Sequence, residues 1–192
     1  MKSGLDPEAP AVRVGTSSGE PQSALLIPVP SAEALVGEAR LEHDPVAAAG
    51  VPAHITLVVP WVEPARLGSD RTIIPALVDT LADAKSFDFE LAGIGWFDKF
   101  GKKVLWLSPE PAAPFCELTA LLADRFDTPP WAGKFTELVP HLTIGHAEGD
   151  GQLEPVAEDL RPRLPVTCRA EEVWAMVGDG HRWNVLARVP LG

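Results

Sequence analysis

The chain has 192 residues and a formal net charge of −11, from 16 Lys and Arg against 27 Asp and Glu. This length predicts one domain, or two small lobes that share a core. Both halves of the chain are acidic, which excludes a protein that coats long DNA or RNA, because such polyanions would be repelled; a small site for one phosphate is still compatible.

Residues 1–22 lack the continuous apolar core of a secretory signal and are predicted to form a flexible leader. The pattern becomes that of a folded protein from residue 23, and 23–192 is predicted to be a single bilobal domain.

No apolar stretch approaches the roughly 18 residues that a membrane-spanning helix needs. Cys116 and Cys168 have neither CxxC nor Cys-His spacing, so we expect free thiols in a cytoplasmic protein.

Runs of apolar residues predict strands and helices in a regular order. In the first half we expect a strand at 23–30, a helix at 31–40, a loop at 43–52, a strand at 54–61, a helix at 75–84, a strand at 87–97 and a hairpin turn at 98–103. In the second half we expect a strand at 103–109, a helix at 114–126, a loop at 127–135, a strand at 137–147, a helix at 153–160, strands within 165–177 and a strand at 182–190.

The two halves repeat this order. A strand, a helix and a second strand begin near residues 24, 31 and 54, and again near 104, 114 and 141. Such a repeat with antiparallel connections predicts an α+β fold. We therefore expect two pseudo-symmetric lobes of the β-α-β-α-β type, with antiparallel sheets around a central cleft.

One short motif occurs in both halves. It reads His-Ile-Thr-Leu at 54–57 and His-Leu-Thr-Ile at 141–144, whereas chance predicts about 0.01 such tetrapeptides in a chain of this composition. Residues i and i+2 of a strand point to the same face, so each strand presents an imidazole beside a hydroxyl over an apolar backing. An approximate two-fold relation between the lobes would place both pairs in one cleft.

Two histidines that flank one reacting centre suit an in-line displacement at phosphorus. One neutral imidazole takes a proton from the attacking water, and the other, as imidazolium, gives a proton to the leaving oxygen. Threonine hydroxyls can donate hydrogen bonds to the non-bridging oxygens. This scheme needs neither a metal nor a cofactor. The alternative of a two-histidine zinc site lacks an HxH or HExxH motif, or a nearby Cys or Asp, to complete the ligands.

Together with these motifs, four segments resemble the 2H phosphoesterase superfamily and, more narrowly, its bacterial 2′-5′ RNA ligase-like branch. They are GVPAHITLVVP at 50–60, VLWLSPEP at 104–111, GKFTELVPHLTIGHA at 133–147 and RWNVLARVPLG at 182–192. The resemblance spans residues 23–192. It implies a bilobal α+β fold with a central cleft, metal-independent hydrolysis of cyclic phosphates, and a catalytic set of His54, Thr56, His141 and Thr143.

The expected function is therefore a phosphodiesterase that opens 2′,3′-cyclic phosphates on nucleotides or short RNA ends, as in RNA processing. Three alternatives are open: a 2′-5′ RNA ligase, a cyclic phosphodiesterase for a non-RNA nucleotide metabolite, and a nucleotide-binding module without turnover. The expected partner is a small nucleotide or an RNA terminus, not a long nucleic acid or a membrane. The sequence does not assign the acid and the base to particular histidines, nor does it indicate the oligomeric state.

Candidate substrate contacts lie outside the two motifs. Trp131, Lys134 and Phe135 fall in the loop before the second motif, which is often aromatic-rich in this branch, and they could stack on a base and contact a phosphate. The alternative is a loop held in place by buried aromatic rings. Lys103, with Lys99 and Lys102, forms a basic hairpin that could attract an anion at the mouth of the cleft, or could simply be solvated.

Two further expectations concern the strands themselves. His146 lies five residues after His141, so strand parity predicts that it points to the opposite face and has a structural role. The tryptophans in predicted strands, Trp96 and Trp106 among them, are expected in the hydrophobic core.

Overall fold

The computed structural model describes residues 20–99, 102–129, 133 and 137–192. Its strands are β1 Gln22–Pro28, β2 His54–Val58, β3 Phe87–Lys99, β4 Lys102–Glu110, β5 Leu142–Glu148, β6 Val166–Ala170, β7 Glu172–Gly178 and β8 Trp183–Pro190. Its α-helices are α1 Glu33–His43, α2 Pro45–Ala48, α3 Pro64–Ser69, α4 Ile73–Leu81, α5 Ala113–Phe126 and α6 Glu154–Leu160. Most of the predicted leader lies outside the described residues, although β1 already begins at Gln22.

The strands form two four-stranded antiparallel sheets. The first has the order β2-β1-β7-β8 and the second has the order β5-β4-β3-β6. The predicted α+β class, with two similar antiparallel lobes, is therefore confirmed. The lobes are not the two halves of the sequence, however: β3 from the first half joins the second sheet, and β7 and β8 complete the first sheet.

The chain crosses between the sheets twice. It leaves the first sheet between α4 and β3, and it returns between β6 and β7 over one residue, Glu171. Backbone hydrogen bonds join these crossings: Leu191 N donates to Glu171 O at 2.7 Å, Gly192 N donates to Ala84 O at 2.9 Å, and Ser86 N donates to Gly192 O at 2.8 Å. Both crossings therefore meet at one corner of the molecule.

The two HxT strands occupy equivalent positions. β2 is the edge strand beside β1, and β5 is the edge strand beside β4. In each pair the register shifts just after the threonine: Thr56 lies opposite Leu26 but Val58 lies opposite Leu25, and Thr143 lies opposite Trp106 but Gly145 lies opposite Leu105. Each HxT strand thus carries a β-bulge at the same place, a feature that redirects side chains next to many active sites.

A single large hydrophobic core backs both motifs. Ile55 and Leu57 from β2, and Leu142 and Ile144 from β5, are buried in it, whereas the histidines and threonines between them are half-buried. The predicted alternation along both strands is therefore confirmed. Helix α1 packs against β5 and helix α5 packs against β2, so each motif strand is supported by a helix that follows the first strand of the other pair.

Several element boundaries differ from the sequence prediction. The loop expected at 43–52 contains the short helix α2, whose N-cap Asp44 accepts a hydrogen bond from Val46 N at 3.1 Å, and α3 was not predicted. The strand expected at 54–61 ends at Val58, before Pro60, and the strand expected at 137–147 begins only at Leu142, two residues after Pro140. Proline has no backbone N–H to donate, so it interrupts a strand ladder.

Both cysteines are free thiols; Cys168 is buried and Cys116 is half-buried. Over the described residues, no helix is long and apolar enough to cross a bilayer. The cytoplasmic location stays a prediction.

Candidate active site

The two motif histidines are held in the same way. His54 Nδ1 lies 2.8 Å from the carbonyl oxygen of Pro52, and His141 Nδ1 lies 2.8 Å from the carbonyl oxygen of Val139. A carbonyl only accepts hydrogen bonds, so Nδ1 donates its proton in both rings and orients both imidazoles. In the neutral rings Nε2 is therefore the nitrogen that accepts a proton, which is the property that acid-base chemistry requires.

Each threonine shares the exposed face of its strand with the histidine two residues earlier. Thr56 and Thr143 are half-buried, between fully buried neighbours on either side. Strand geometry therefore places a hydroxyl beside each imidazole, as the sequence predicts.

The two motifs are close to each other. β2 and β5 are neighbours in the fold although they belong to different sheets. The charge of His141 also contributes to lowering the pKa of His54, as it would across a short distance. The two imidazoles are therefore close enough to interact electrostatically.

Burial is the main influence on the charge of both rings. It lowers the pKa of His54 to about 4, assisted by the charge of Arg40 and opposed by the Pro52 carbonyl and by Asp44. Burial also lowers the pKa of His141, with a further lowering from His146 and an opposing effect of the Val139 carbonyl. Both imidazoles are therefore neutral in the resting protein at neutral pH.

An aromatic wall lies beside His141. The Phe97 ring meets the imidazole nearly edge-on, with centroids 4.9 Å apart, and stacks on the Trp106 ring, also at 4.9 Å. The centroid of the Trp106 ring is 5.9 Å from that of His141. The expectation that Trp106 belongs to the core is therefore wrong: it is half-buried beside the second motif, because its cross-strand partner is Thr143.

Sequence reasoning also missed two buried charges. Arg40 on α1 and Asp44 at its end are only 1% and 3% exposed, and they form an ion pair at 2.9 Å. Their spacing of four residues was visible in the sequence, but exposed helical pairs have the same spacing. The pattern alone could not show that this pair lies under the motifs.

The position of His146 differs from the prediction. The bulge in β5 adds one residue between Thr143 and His146, and these residues lie opposite Trp106 and Val104, which share one face of β4. The strand therefore turns His146 to the same face as Thr143. Its Nε2 lies 3.9 Å from Asp44 Oδ1, and its charge contributes to the pKa of His141.

Of the four expected substrate contacts, the structure describes only Lys103. Trp131, Lys134 and Phe135 lie outside the described residues. Lys103 is three residues from Trp106 on β4, so its side chain points to the other face of the sheet. There it pairs with Asp150 at 2.6 Å and Glu154 at 3.7 Å, beside the exposed Trp96. Lys103 therefore lies on the face of the sheet opposite to Trp106 and the second HxT motif.

A metal centre would need further ligands at the motifs. Within the part of the chain that the structure describes, no group of three or more His, Cys, Asp or Glu side chains is arranged to hold a metal ion. At the motifs, the two oriented imidazoles can transfer protons and the two hydroxyls can donate hydrogen bonds.

Comparison with known families agrees with this arrangement. A family model described as the 2′-5′ RNA ligase superfamily matches residues 28–182, a range that contains both HxT motifs. The chain belongs to the 2′-5′ RNA ligase superfamily. The resemblance to 2H phosphoesterases is thereby confirmed, and it supports an enzyme of the phosphoesterase or ligase type.

Several solved structures share the fold. Escherichia coli LigT in complex with NADP+ has a TM-score of 0.60 at 19% identity, covering 90% of this chain and 98% of LigT. LigT in complex with 3′-AMP has a TM-score of 0.57 at 19% identity, covering 90% and 99%. The protein TT0787 of Thermus thermophilus has a TM-score of 0.60 at 17% identity, covering 88% and 97%. No curated protein sequence matches the chain.

Proposed function

We propose that this superfamily member is a metal-independent phosphodiesterase that opens 2′,3′-cyclic phosphates on nucleotides or short RNA ends. The observation that carries the proposal is the matched orientation of His54 and His141 by carbonyl groups two residues earlier in the chain. Two imidazoles with the same protonated nitrogen, at the start of equivalent edge strands, form a symmetric acid-base pair around one reacting centre.

The proposed reaction needs only water as co-reactant. One neutral imidazole removes a proton from water as its oxygen attacks phosphorus. The bond from phosphorus to one ribose oxygen breaks, and the other imidazole, as imidazolium, protonates that oxygen to leave a phosphomonoester. The two rings have then exchanged protonation states, and proton exchange with solvent restores them.

The electrostatics favour His54 as the base. Its pKa is lowered to about 4, so it stays neutral in mildly acidic solution while an anionic substrate favours the charged form of His141. Thr56 and Thr143 donate hydrogen bonds to the non-bridging oxygens, where negative charge accumulates.

The nature of the substrate has separate support. Structures of E. coli LigT hold 3′-AMP, ATP and NADP+, which is consistent with a small nucleotide ligand for this fold. The aromatic pair of Phe97 and Trp106 beside His141 is also suited to contact with a base. The net charge of −11 disfavours long nucleic acids.

The decisive test is a screen of nucleoside 2′,3′-cyclic phosphates with purified variants. His54→Ala and His141→Ala should each lower kcat by at least about a hundredfold. His181→Ala is the matched control, because His181 is exposed at the turn between β7 and β8. Activity should persist in EDTA. Full activity in both motif variants would rule out the mechanism.

The same screen distinguishes the alternatives. Binding of a cyclic nucleotide in calorimetry with no product would indicate a nucleotide-binding module. Turnover restricted to a non-RNA cyclic nucleotide, or the joining of RNA ends without hydrolysis, would replace the proposed substrate or the proposed direction.

A further inference from the structure

Helix α1 contacts the backbone of the second HxT motif and the backbone of the segment just before the first. Glu33, in its first turn, accepts a hydrogen bond from the backbone N–H of Ala53, the residue before His54. Arg40, seven residues later, donates from Nε to the carbonyl oxygen of Thr143 at 3.1 Å. Residues seven apart lie on the same side of a helix. One side of α1 is therefore hydrogen-bonded both to the segment that precedes β2 and to strand β5.

The Arg40 guanidinium has three acceptors from three parts of the chain. Besides Thr143, it donates from Nη1 to the carbonyl oxygen of Val51 at 3.4 Å and from Nη2 to Asp44 Oδ2 at 2.9 Å. Val51 lies three residues before His54. Because the guanidinium is planar and rigid, its three bonds fix the relative positions of these segments.

From this geometry we propose that Arg40 is a positioning residue, which sets the separation of His54 and His141 so that both imidazoles reach one phosphate. The inference rests on the proposed function and adds a residue to it. Stability alone does not account for Arg40, because a buried ion pair contributes little net free energy compared with apolar side chains of the same size.

Arg40 also affects the charge of the first motif. Its charge lowers the pKa of His54, while Asp44 opposes this effect and His141 adds to it. Replacement by methionine removes both the hydrogen bonds and the charge. Replacement by lysine keeps the charge but offers donors from one point only, so it cannot hold three acceptors in a fixed plane. The two variants therefore separate positioning from electrostatics.

The experiment compares Arg40→Lys and Arg40→Met with the wild-type protein. Both should lower kcat for a 2′,3′-cyclic nucleotide by at least about tenfold. Only Arg40→Met should move the titration of His54, followed by NMR of the imidazole ring, to higher pH. Arg66→Met is the matched control: Arg66 pairs with Asp70 at the same four-residue spacing, but it is 59% exposed.

A second measurement does not depend on turnover. Inorganic phosphate, titrated at mildly acidic pH, should shift the ring resonances of His54 and His141 with one shared Kd in the wild-type protein. In Arg40→Lys this shared binding should weaken by at least about tenfold. If the wild-type protein lacks turnover but shows this behaviour, the proposed function fails and the positioning role stands.

One result would contradict the positioning role of Arg40. If Arg40→Lys is folded by circular dichroism and keeps both its kcat and its phosphate Kd within about twofold of wild type, Arg40 does not position the motifs. Should Arg40→Met fail to fold, the lysine variant decides the question by itself.

Discussion

Gly95 on β3 lies directly opposite Trp106 on β4, and a Cβ atom added to Gly95 would come within 2.2 Å of the Trp106 ring. The indole therefore lies over a position without a side chain. This close approach allows the ring to stack on Phe97 and to reach His141. Gly95, which has no side chain, therefore determines the position of the Trp106 ring in the candidate site.

Gly95→Ala should displace the Trp106 ring and disturb the setting of His141. We expect kcat/KM for a cyclic nucleotide to fall by at least about tenfold, and stability to fall by about 1–3 kcal/mol from overpacking. Steady-state kinetics and urea unfolding measure these effects. Gly68→Ala is the control, since an added Cβ there meets nothing within 4 Å. Unchanged kinetics in Gly95→Ala would mean that the indole has no part in the site.

The pH dependence of kcat/KM should be bell-shaped with its maximum below pH 6.5. Activity needs one neutral and one protonated imidazole, and burial lowers the pKa of both His54 and His141. The limb on the acid side reports His54, with a pKa of about 4, and the other limb reports His141. A pH-rate profile checks this, and a maximum above pH 7 would contradict the assigned protonation states.

Folding stability should also fall on the acid side. In the folded protein His54 takes up its proton only near pH 4, whereas in the unfolded chain it does so near its ordinary value of 6.5. The unfolded state therefore binds more protons between these values, and the free energy of unfolding decreases as the pH falls through this range. Urea unfolding at several pH values measures the slope, which His54→Gln should reduce. Circular dichroism at each pH separates the acid limb of activity from unfolding.

The two threonines are expected to act through their hydroxyls. Thr56→Val and Thr143→Val keep the volume but remove the donor, so each should lower kcat by about a hundredfold, the lower end of the range for loss of one oxyanion donor. The serine variants keep the hydroxyl and serve as controls. Valine variants as active as the serine variants would show that the hydroxyls do not contact the reacting phosphate.

Gly145 lies under helix α1. An added Cβ would come within 2.5 Å of His43 Cβ and 3.2 Å of a Leu153 methyl group. Gly145→Ala should therefore push α1 away from β5 and lower the free energy of unfolding by about 1–3 kcal/mol. Urea unfolding with the Gly68→Ala control checks the value. A neutral result would show that the helix moves aside without cost.

Local periodicity predicts the motif strands well but not the surroundings of the motifs. The alternation of Ile55 and Leu57 with His54 and Thr56 depends only on neighbouring residues, so the exposed faces are found from sequence. The place of Trp106 depends on its pairing with Thr143, which a sequence pattern does not contain. For the same reason, parity misplaces His146, since the bulge in β5 has no clear signature in the sequence.

Long-range contacts explain the other differences. The sequence does not predict that Arg40 is buried, because its acceptors on Val51 and Thr143 are brought together only by the fold. The sequence predicts strands within 165–177, but their division at Glu171 between two sheets reflects the topology of the whole chain.

The two crossings of the chain have a consequence for cooperativity. Neither sheet is built from one continuous segment, since β7 and β8 complete a sheet that begins with β1 and β2. Neither lobe can therefore be excised as a fragment, and we expect the protein to lose both sheets in a single transition. A ligand that contacts both imidazoles would then raise the midpoint of that transition for the entire molecule, so thermal shift becomes a direct assay for binding in the cleft.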